Sequence, residues 1–469
     1  MVGVAAGHGS VGGLRMMAAQ PGKPQSTERR PRGIFALAAA LLLAACSTGP
    51  SATSPATQSA AGPTPSAAAT AAGNILLGGT GPLSQPGDVQ DGVPMMWAME
   101  QAVADLNANG GVLGRQLKLL EYDTQDKTDV CATLAAKAVT DGVAGVAGEA
   151  HSGCALAEIP TYNAADMPAI FPEAYNDTIT AGDPTNPNLP ANPPSIFRIA
   201  PSSSLYSNFV YDWIKNGLHA KSLLLVYENT DAGINDAKAF KAAFANTDLK
   251  LTELSITTGQ ASYAAIMARA KLDNPNVDVV FFDSGTTGTT YQLTSDGIAA
   301  GLVDNAVCLG DTSLRVNDAY WKAVPNGEGC AFEFVGLAPS QFNDLATSLN
   351  SRYAAKYGGD APDYVFQAYD AILLLADAIQ RAGTTDHAAV VKALEQTSMT
   401  GTVGQYSFPY GSTTPVPTGQ PGWLWHQFPN PRLSILEYTQ ANQPLAQAVT
   451  LWPASAQTTA GQAWVSVTR

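Results

Sequence analysis

The feature that most constrains this chain is a repeated alternation of short apolar runs with amphipathic stretches, from Asn74 to about Val335. Ile75-Leu76-Leu77 runs into Gly78-Gly79-Thr80-Gly81-Pro82, a strand ending in a glycine-rich loop. Val93, Met96, Trp97, Val103 and Leu106 then recur at helical spacing, and Asn109-Gly110-Gly111 stops that helix. The same reading gives strands at 117–122, 143–147, 169–171, 222–227, 250–256, 277–282, 306–309 and 329–335. Helical patterns fall between them, at 130–141, 155–166, 206–216, 234–246, 263–271 and 290–300. Apolar strands alternating with helices specify a parallel sheet covered on both faces. The Pro- and Asn-rich segment 182–194 interrupts the rhythm before it restarts. The expected fold class is therefore α/β, with two doubly wound parallel-sheet lobes. Helices at 344–357, 364–382 and 387–396 follow without enough strands for a third sheet, so they should pack back onto the lobes. The tail beyond Gly401 has few regular elements, but the cluster Trp423, Leu424, Trp425 and Phe428 must be buried somewhere.

A chain of 469 residues exceeds what one core usually organises, which agrees with two lobes. The formal net charge of -14 disfavours a nucleic-acid partner, because binding phosphates needs clustered Lys and Arg. Residues 1–45 read as an address. Arg29, Arg30 and Arg32 precede the apolar run Ile34 to Ala45, which is too short to span a bilayer and has the layout of a secretory signal. The residues before Met16 are unlike such a signal, so translation could start at Met16 or Met17 instead of Met1. The run ends Leu43-Ala44-Ala45-Cys46 and is similar to a bacterial lipobox, which implies a lipid on Cys46 and attachment to the membrane. A short buried helix ending in an ordinary cysteine is the alternative. Residues 46–73, rich in Ser, Ala, Thr and Pro, have too little apolar bulk to offset the entropy of ordering and are expected to form a flexible tether. Outside the cytoplasm the other four cysteines can pair. Cys131 with Cys154 and Cys308 with Cys330 are the sequence-near choices among three connectivities.

Several segments, in order, resemble the type I periplasmic binding proteins of the Leu/Ile/Val-binding branch. They are Gly81-Pro82-Leu83-Ser84 with Gly87-Asp88, the helix and turn from Ala104 to Arg115, Glu121-Tyr122-Asp123 with Cys131, and Met167 to Pro172. The resemblance runs from about Asn74 to Phe428. It implies two lobes joined by a hinge of three crossovers, with 74–200 and 336–396 in the first lobe and 201–335 and 397–469 in the second. It further implies a small-molecule ligand held in the cleft, delivered to an ABC permease and ATPase complex by a monomer. Neither a cofactor nor a metal is expected.

The same resemblance assigns the site. In the first lobe it implies Ser84, Ser152 as the hydroxyl on a ligand carboxylate, and Glu173, Ala174 and Tyr175 beside the ligand. In the second it implies Asp231, Gly285 and Asp311, the last for a ligand amine. The loop before a helix at the carboxyl end of a strand is where open α/β sheets bind ligands, and a helix N-terminus suits a carboxylate. Three of these assignments have a plainer alternative: Ser152 as an N-cap, Glu173 facing solvent, Asp311 capping a turn. Glu173 and Tyr175 stand where the family has small residues and a threonine, while Pro86, Ala232 and Gly285 replace common aromatics. These departures point away from a plain aliphatic amino acid. Branched-chain amino acids, other amino acids, amides, urea and small aromatic acids all fit the family.

An enzyme is the rival from another class. The chain has no Gly-x-Ser-x-Gly elbow, no His-Glu-x-x-His and no Walker loop, and His151 beside Ser152 and Cys154 is its one group to test for catalysis. A ligand sensor of the same fold is the third reading. The chain alone does not separate sensing from transport.

Overall fold

The computed structural model describes residues 73–336 and 341–464. The leader, Cys46 and the tether expected at 46–73 lie outside the described residues, apart from Gly73.

The first run of elements is β1 (Ile75–Gly81), α1 (Val89–Ala108), β2 (Leu117–Asp123), α2 (Thr128–Asp141), β3 (Val146–Ala147), α3 (Ser152–Ala164), β4 (Ala169–Phe171), α4 (Thr178–Ala181) and β5 (Ile196–Arg198). Its five strands form a parallel sheet in the order β2-β1-β3-β4-β5. The chain then crosses to a second run: α5 (Ser203–Asp212), β6 (Ser222–Glu228), α6 (Asp231–Phe244), β7 (Lys250–Ile256), α7 (Ala264–Asp273), β8 (Val279–Asp283), α8 (Thr287–Ala299), β9 (Val307–Gly310), α9 (Asn317–Ala323) and β10 (Cys330–Val335). It returns to the first lobe with α10 (Asp344–Tyr357), α11 (Asp363–Ala382), α12 (His387–Leu394) and the small hairpin β11 (Met399–Thr400) and β12 (Gln405–Tyr406). A third crossing brings β13 (Leu433–Glu437) and β14 (Val449–Trp452) to the second sheet, whose order is β14-β13-β10-β9-β8-β6-β7.

Two expectations need correction. The second sheet is not parallel throughout, since β13 pairs antiparallel with β10 and β14 antiparallel with β13. These strands are short and carry Ser434 and Glu437, so they show no continuous apolar run. The tail also does not belong to the second lobe as a whole. Val403, Tyr406, Phe408 and Phe428 are buried in the core of the first lobe, against helices α1 and α11. The Trp425 indole donates to the Pro193 carbonyl at 2.9 Å, and the His426 ring stacks on Phe197 at 4.0 Å. Only the part from Leu433 onward joins the second sheet. The cluster expected to be buried thus closes over the first lobe, with Trp425 and Phe428 buried but Trp423 and Leu424 only half-buried.

The strands of the second sheet show how sequence sets the two faces. Leu223, Leu225, Val279, Phe281, Val307 and Leu309 pack with Tyr206, Val210 and Phe240 of α5 and α6. Their alternate neighbours Leu224, Val226, Val280, Phe282 and Cys308 pack with the opposite helices. Successive strand side chains point to opposite faces, so a strand buried on both sides reads as one apolar run. Helix α1 shows a different local device. Pro94 has no N–H to give the Gln90 carbonyl, and the Tyr364 hydroxyl donates to that carbonyl at 2.9 Å. The disulfides are Cys131–Cys154, joining α2 to α3, and Cys308–Cys330, joining β9 to β10. Among the described residues no helix is long and apolar enough to cross a membrane.

Candidate functional site

The carboxyl ends of both sheets meet across a cleft. Within it lies a small cavity, part of it open to solvent. From the first lobe it is lined by the loop between β3 and α3, with Ala150, His151 and Ser152, and by the loop after β4, with Glu173 and Tyr175. From the second lobe come Ala232 and Asp236 of α6, Asp283 at the end of β8 and Gly285 after it, Asp311 to Ser313 after β9, and Glu333 of β10.

Five of the eight residues named from sequence line this cavity: Ser152, Glu173, Tyr175, Gly285 and Asp311. Ser152 opens α3, where first-turn N–H groups have no carbonyl within the helix to reach, and its hydroxyl accepts from Asn176 N at 3.2 Å. The Asp311 carboxylate accepts from Ser284 N at 3.0 Å, Gly285 N at 2.9 Å, Thr290 Oγ1 at 2.6 Å and Ser313 N at 2.7 Å. It therefore holds the loops after β8 and β9 together as well as facing the cavity. Glu173 does not point to solvent; it accepts from the buried Arg315 at 2.9 Å.

Three residues are placed elsewhere. Ser84 gives its hydroxyl to Asp123 at 2.5 Å, a tie between the ends of β1 and β2 outside the cavity. Ala174 packs into the first-lobe core on the opposite side of its loop. Asp231 sits at the outer cleft, where its carbonyl accepts from Asn176 Nδ2 at 3.0 Å.

That last bond is one of several linking the lobes, so the structure is a closed form. The Asp88 carboxylate accepts from Thr287 N at 3.1 Å. His151 faces Asp126 Oδ1 with Nδ1 at 2.9 Å and the Gly285 carbonyl with Nε2 at 3.2 Å. Both neighbours are acceptors, so the ring satisfies both only as an imidazolium. The raised proton affinity of His151 agrees: burial opposes it, but Asp126, with Asp88 and Asp91 behind, pulls the pKa well above its ordinary value. Arg315 also crosses between the lobes. Besides Glu173 it pairs with Asp363 at the start of α11, and its guanidinium lies 4.6 Å over the Tyr364 ring.

Sequence reasoning missed several residues here. Arg198, buried at the end of β5, donates to the carbonyls of Tyr175 at 3.0 Å and Asn176 at 2.6 Å, fixing the loop that carries Glu173 and Tyr175. It also donates to Gln427 at 2.6 Å, locking the tail to that loop. Glu333 and Asp283 lie on the α5–α6 face of the sheet by strand alternation, continuing Ala331 and Phe281 into the cavity. A charged residue inside an otherwise apolar strand, as in Cys-Ala-Phe-Glu-Phe-Val, was the available signal.

The sequence profile of the periplasmic binding proteins matches residues 74–415. The chain belongs to the periplasmic binding protein family. Within it, this binding protein is of type I, in the branched-chain amino acid group. It is 26% identical over 320 residues to the Leu/Ile/Val-binding protein homolog 3 of Brucella melitensis, covering 67% of this chain and 80% of that one. It is 24% identical over 339 residues to a leucine-, isoleucine-, valine-, threonine- and alanine-binding protein of Pseudomonas aeruginosa, covering 71% of this chain and 85% of the other. Among solved structures, the Streptococcus pneumoniae substrate-binding protein LivJ with isoleucine superposes with a TM-score of 0.66 at 18% identity, over 80% of this chain and 97% of that one. A solute-binding protein of R. palustris with benzoate gives 0.65 at 19% identity, over 84% and 99%. At these identities the two structures speak to the fold of this binding protein alone. The family consists of solute-binding proteins, and membership implies an extracytoplasmic position.

Proposed function

We propose that this chain is the lipid-anchored, non-enzymatic solute receptor of an ABC transporter. It captures an amino acid or a related small polar molecule between its lobes and delivers it to the permease. The observation that carries this reading is the cavity itself, lined from the strand ends of both sheets and closed by contacts that cross between them. A ligand that touches both lobes only when they are shut shifts the equilibrium towards the shut form, which the permease can recognise. That work needs no bond breaking. The curated relatives named for Leu, Ile and Val binding support an amino-acid-like solute. The basic flank, short apolar run and Cys46 support the anchor.

A thermal-shift and calorimetry panel of amino acids, amides, urea and aromatic acids tests the receptor role. At least one class is expected to raise the melting temperature, because a ligand that binds only the folded state stabilises it. Turnover of a panel member, or silence across the whole panel, would refute the proposal. The anchor is tested separately: in cells, Cys46→Ser is expected to move the protein from the membrane to the soluble fraction.

A further inference from the structure

The cavity holds more carboxyl groups than an ordinary amino acid can answer. Asp91, Glu173, Asp236, Asp283, Asp311 and Glu333 all line it, with His151 the one basic side chain in the lining. Arg315 adjoins it but is engaged by Glu173 and Asp363. Asp311 has four donors of its own. What is left is Asp91 of α1 in the first lobe, with Oδ1 unpartnered, and a trio in the second lobe: Asp236 from α6, Asp283 from the end of β8 and Glu333 from β10.

This trio is buried, at 8%, 4% and 1% exposure, and it is short of donors. Asp283 Oδ2 and Asp236 Oδ1 have no hydrogen-bond partner. The Tyr206 hydroxyl donates to Asp283 Oδ1 at 3.4 Å and is also the hydroxyl beside Glu333, so one proton serves two carboxyl groups. Buried polar atoms in native proteins nearly always have partners, and such orphans facing a cavity call for a donor from outside. Two rings flank the place, Tyr175 and Tyr206, edge to face at 5.9 Å. An aromatic wall beside carboxylates suits an organic cation, which gains from both.

We propose that the ligand carries an organic cation, an ammonium or guanidinium group, that seats against Asp236, Asp283 and Glu333 beneath Tyr175 and Tyr206. This rests on reading the cleft as a solute site and narrows the solute to a basic one. A neutral amino acid brings one ammonium and one carboxylate, and its net charge leaves the trio unanswered. A metal fits less well, since among the described residues the trio is not one of the groups whose ligand atoms converge within 4.8 Å. The charged and titratable groups around the trio are Asp177, Glu228, Asp311, Tyr175, Tyr206 and Arg315, and the single cation among them is already paired. Until a cation arrives the acids keep protons. Burial and mutual repulsion raise Asp236 to about 7, and raise Asp283 and Glu333 well above the usual carboxylate range. A cation that displaces those protons is therefore taken up with proton release.

The test compares near-isosteric probes by calorimetry on the full folded chain: L-arginine against L-citrulline, L-lysine against L-norleucine, with L-leucine and putrescine added. At least one cationic probe is expected to bind about tenfold or more tighter than its neutral counterpart, the scale of one charge-assisted contact. Its binding should release protons, read from the heat in buffers of different ionisation enthalpy. Asp283→Asn and Glu333→Gln should erase that preference while circular dichroism shows the fold intact. Leucine, citrulline or norleucine binding as tightly as the cations would overturn the inference and leave the solute-receptor role standing. So would a cationic preference untouched by both variants, or a response to Mg²⁺ or Zn²⁺ alone. No binding by any probe here or in the wider panel would overturn both.

Discussion

At the scale of single residues, the closed form depends on a few buried charges. Arg315 bridges Glu173 in the first lobe's ligand loop and Asp363 at the start of α11. A buried pair of this kind adds little over apolar packing, but breaking it strands the partner charge. Arg315→Gln is therefore expected to lower unfolding stability by about 3 kcal/mol, measured by chemical denaturation. Adding Glu173→Gln should recover part of that loss, because one stranded carboxylate is then removed. His151 is the second such residue, and its effect depends on pH. Its folded pKa is raised above 6.5, so its contribution is complete below 6.5 and is lost as pH rises through the higher folded value. Since the ring spans from Asp126 to the Gly285 carbonyl, the closed fraction seen by small-angle scattering should fall over that range. His151→Gln should flatten the response. The groups facing the ring are Asp88, Asp91, Asp126, Glu149 and Glu228.

At the scale of elements, sequence was informative wherever a segment carries its own period. Helix α10 matches the expected span of 344–357, and β7 matches 250–256. Helix α3 begins three residues before its apolar pattern does, because its start is fixed by the site loop and not by packing. Strands β13 and β14 were missed because strands of four or five residues are recognised by their partners: β13 pairs with β10, about a hundred residues earlier, and β14 pairs with β13. The strap after α12 has no period at all and is held by side chains. Glu395 accepts from His426 at 2.9 Å and from Ser412, and these donors hold its carboxyl down at about 2 against the pull of burial. A depressed carboxyl stabilises above its unfolded value of 4.5, and that contribution is lost as pH falls towards 2. Acid titration followed by tryptophan fluorescence should therefore show the strap around Trp425 loosening within that window, and Glu395→Gln should remove the transition.

At the scale of the whole molecule, the alternation of apolar runs and amphipathic helices determined two wound sheets, and the cysteine spacing left the observed pairs as the near choice. Both are local: a strand needs its own apolar run, and a near-neighbour disulfide closes a short loop. Five of the eight residues that the resemblance named line the cavity. Only the tertiary structure decided which charges meet there. Asp236, Asp283 and Glu333 come from three elements of one sheet face, while Arg315 reaches back to Glu173 and Asp363 in the other lobe. Nothing within any one of those segments marks its partners, because burial and pairing are properties of the convergence. A sequence read along the chain records each carboxylate at its own position; the fold alone sets them around one cavity, because their convergence depends on how the elements pack.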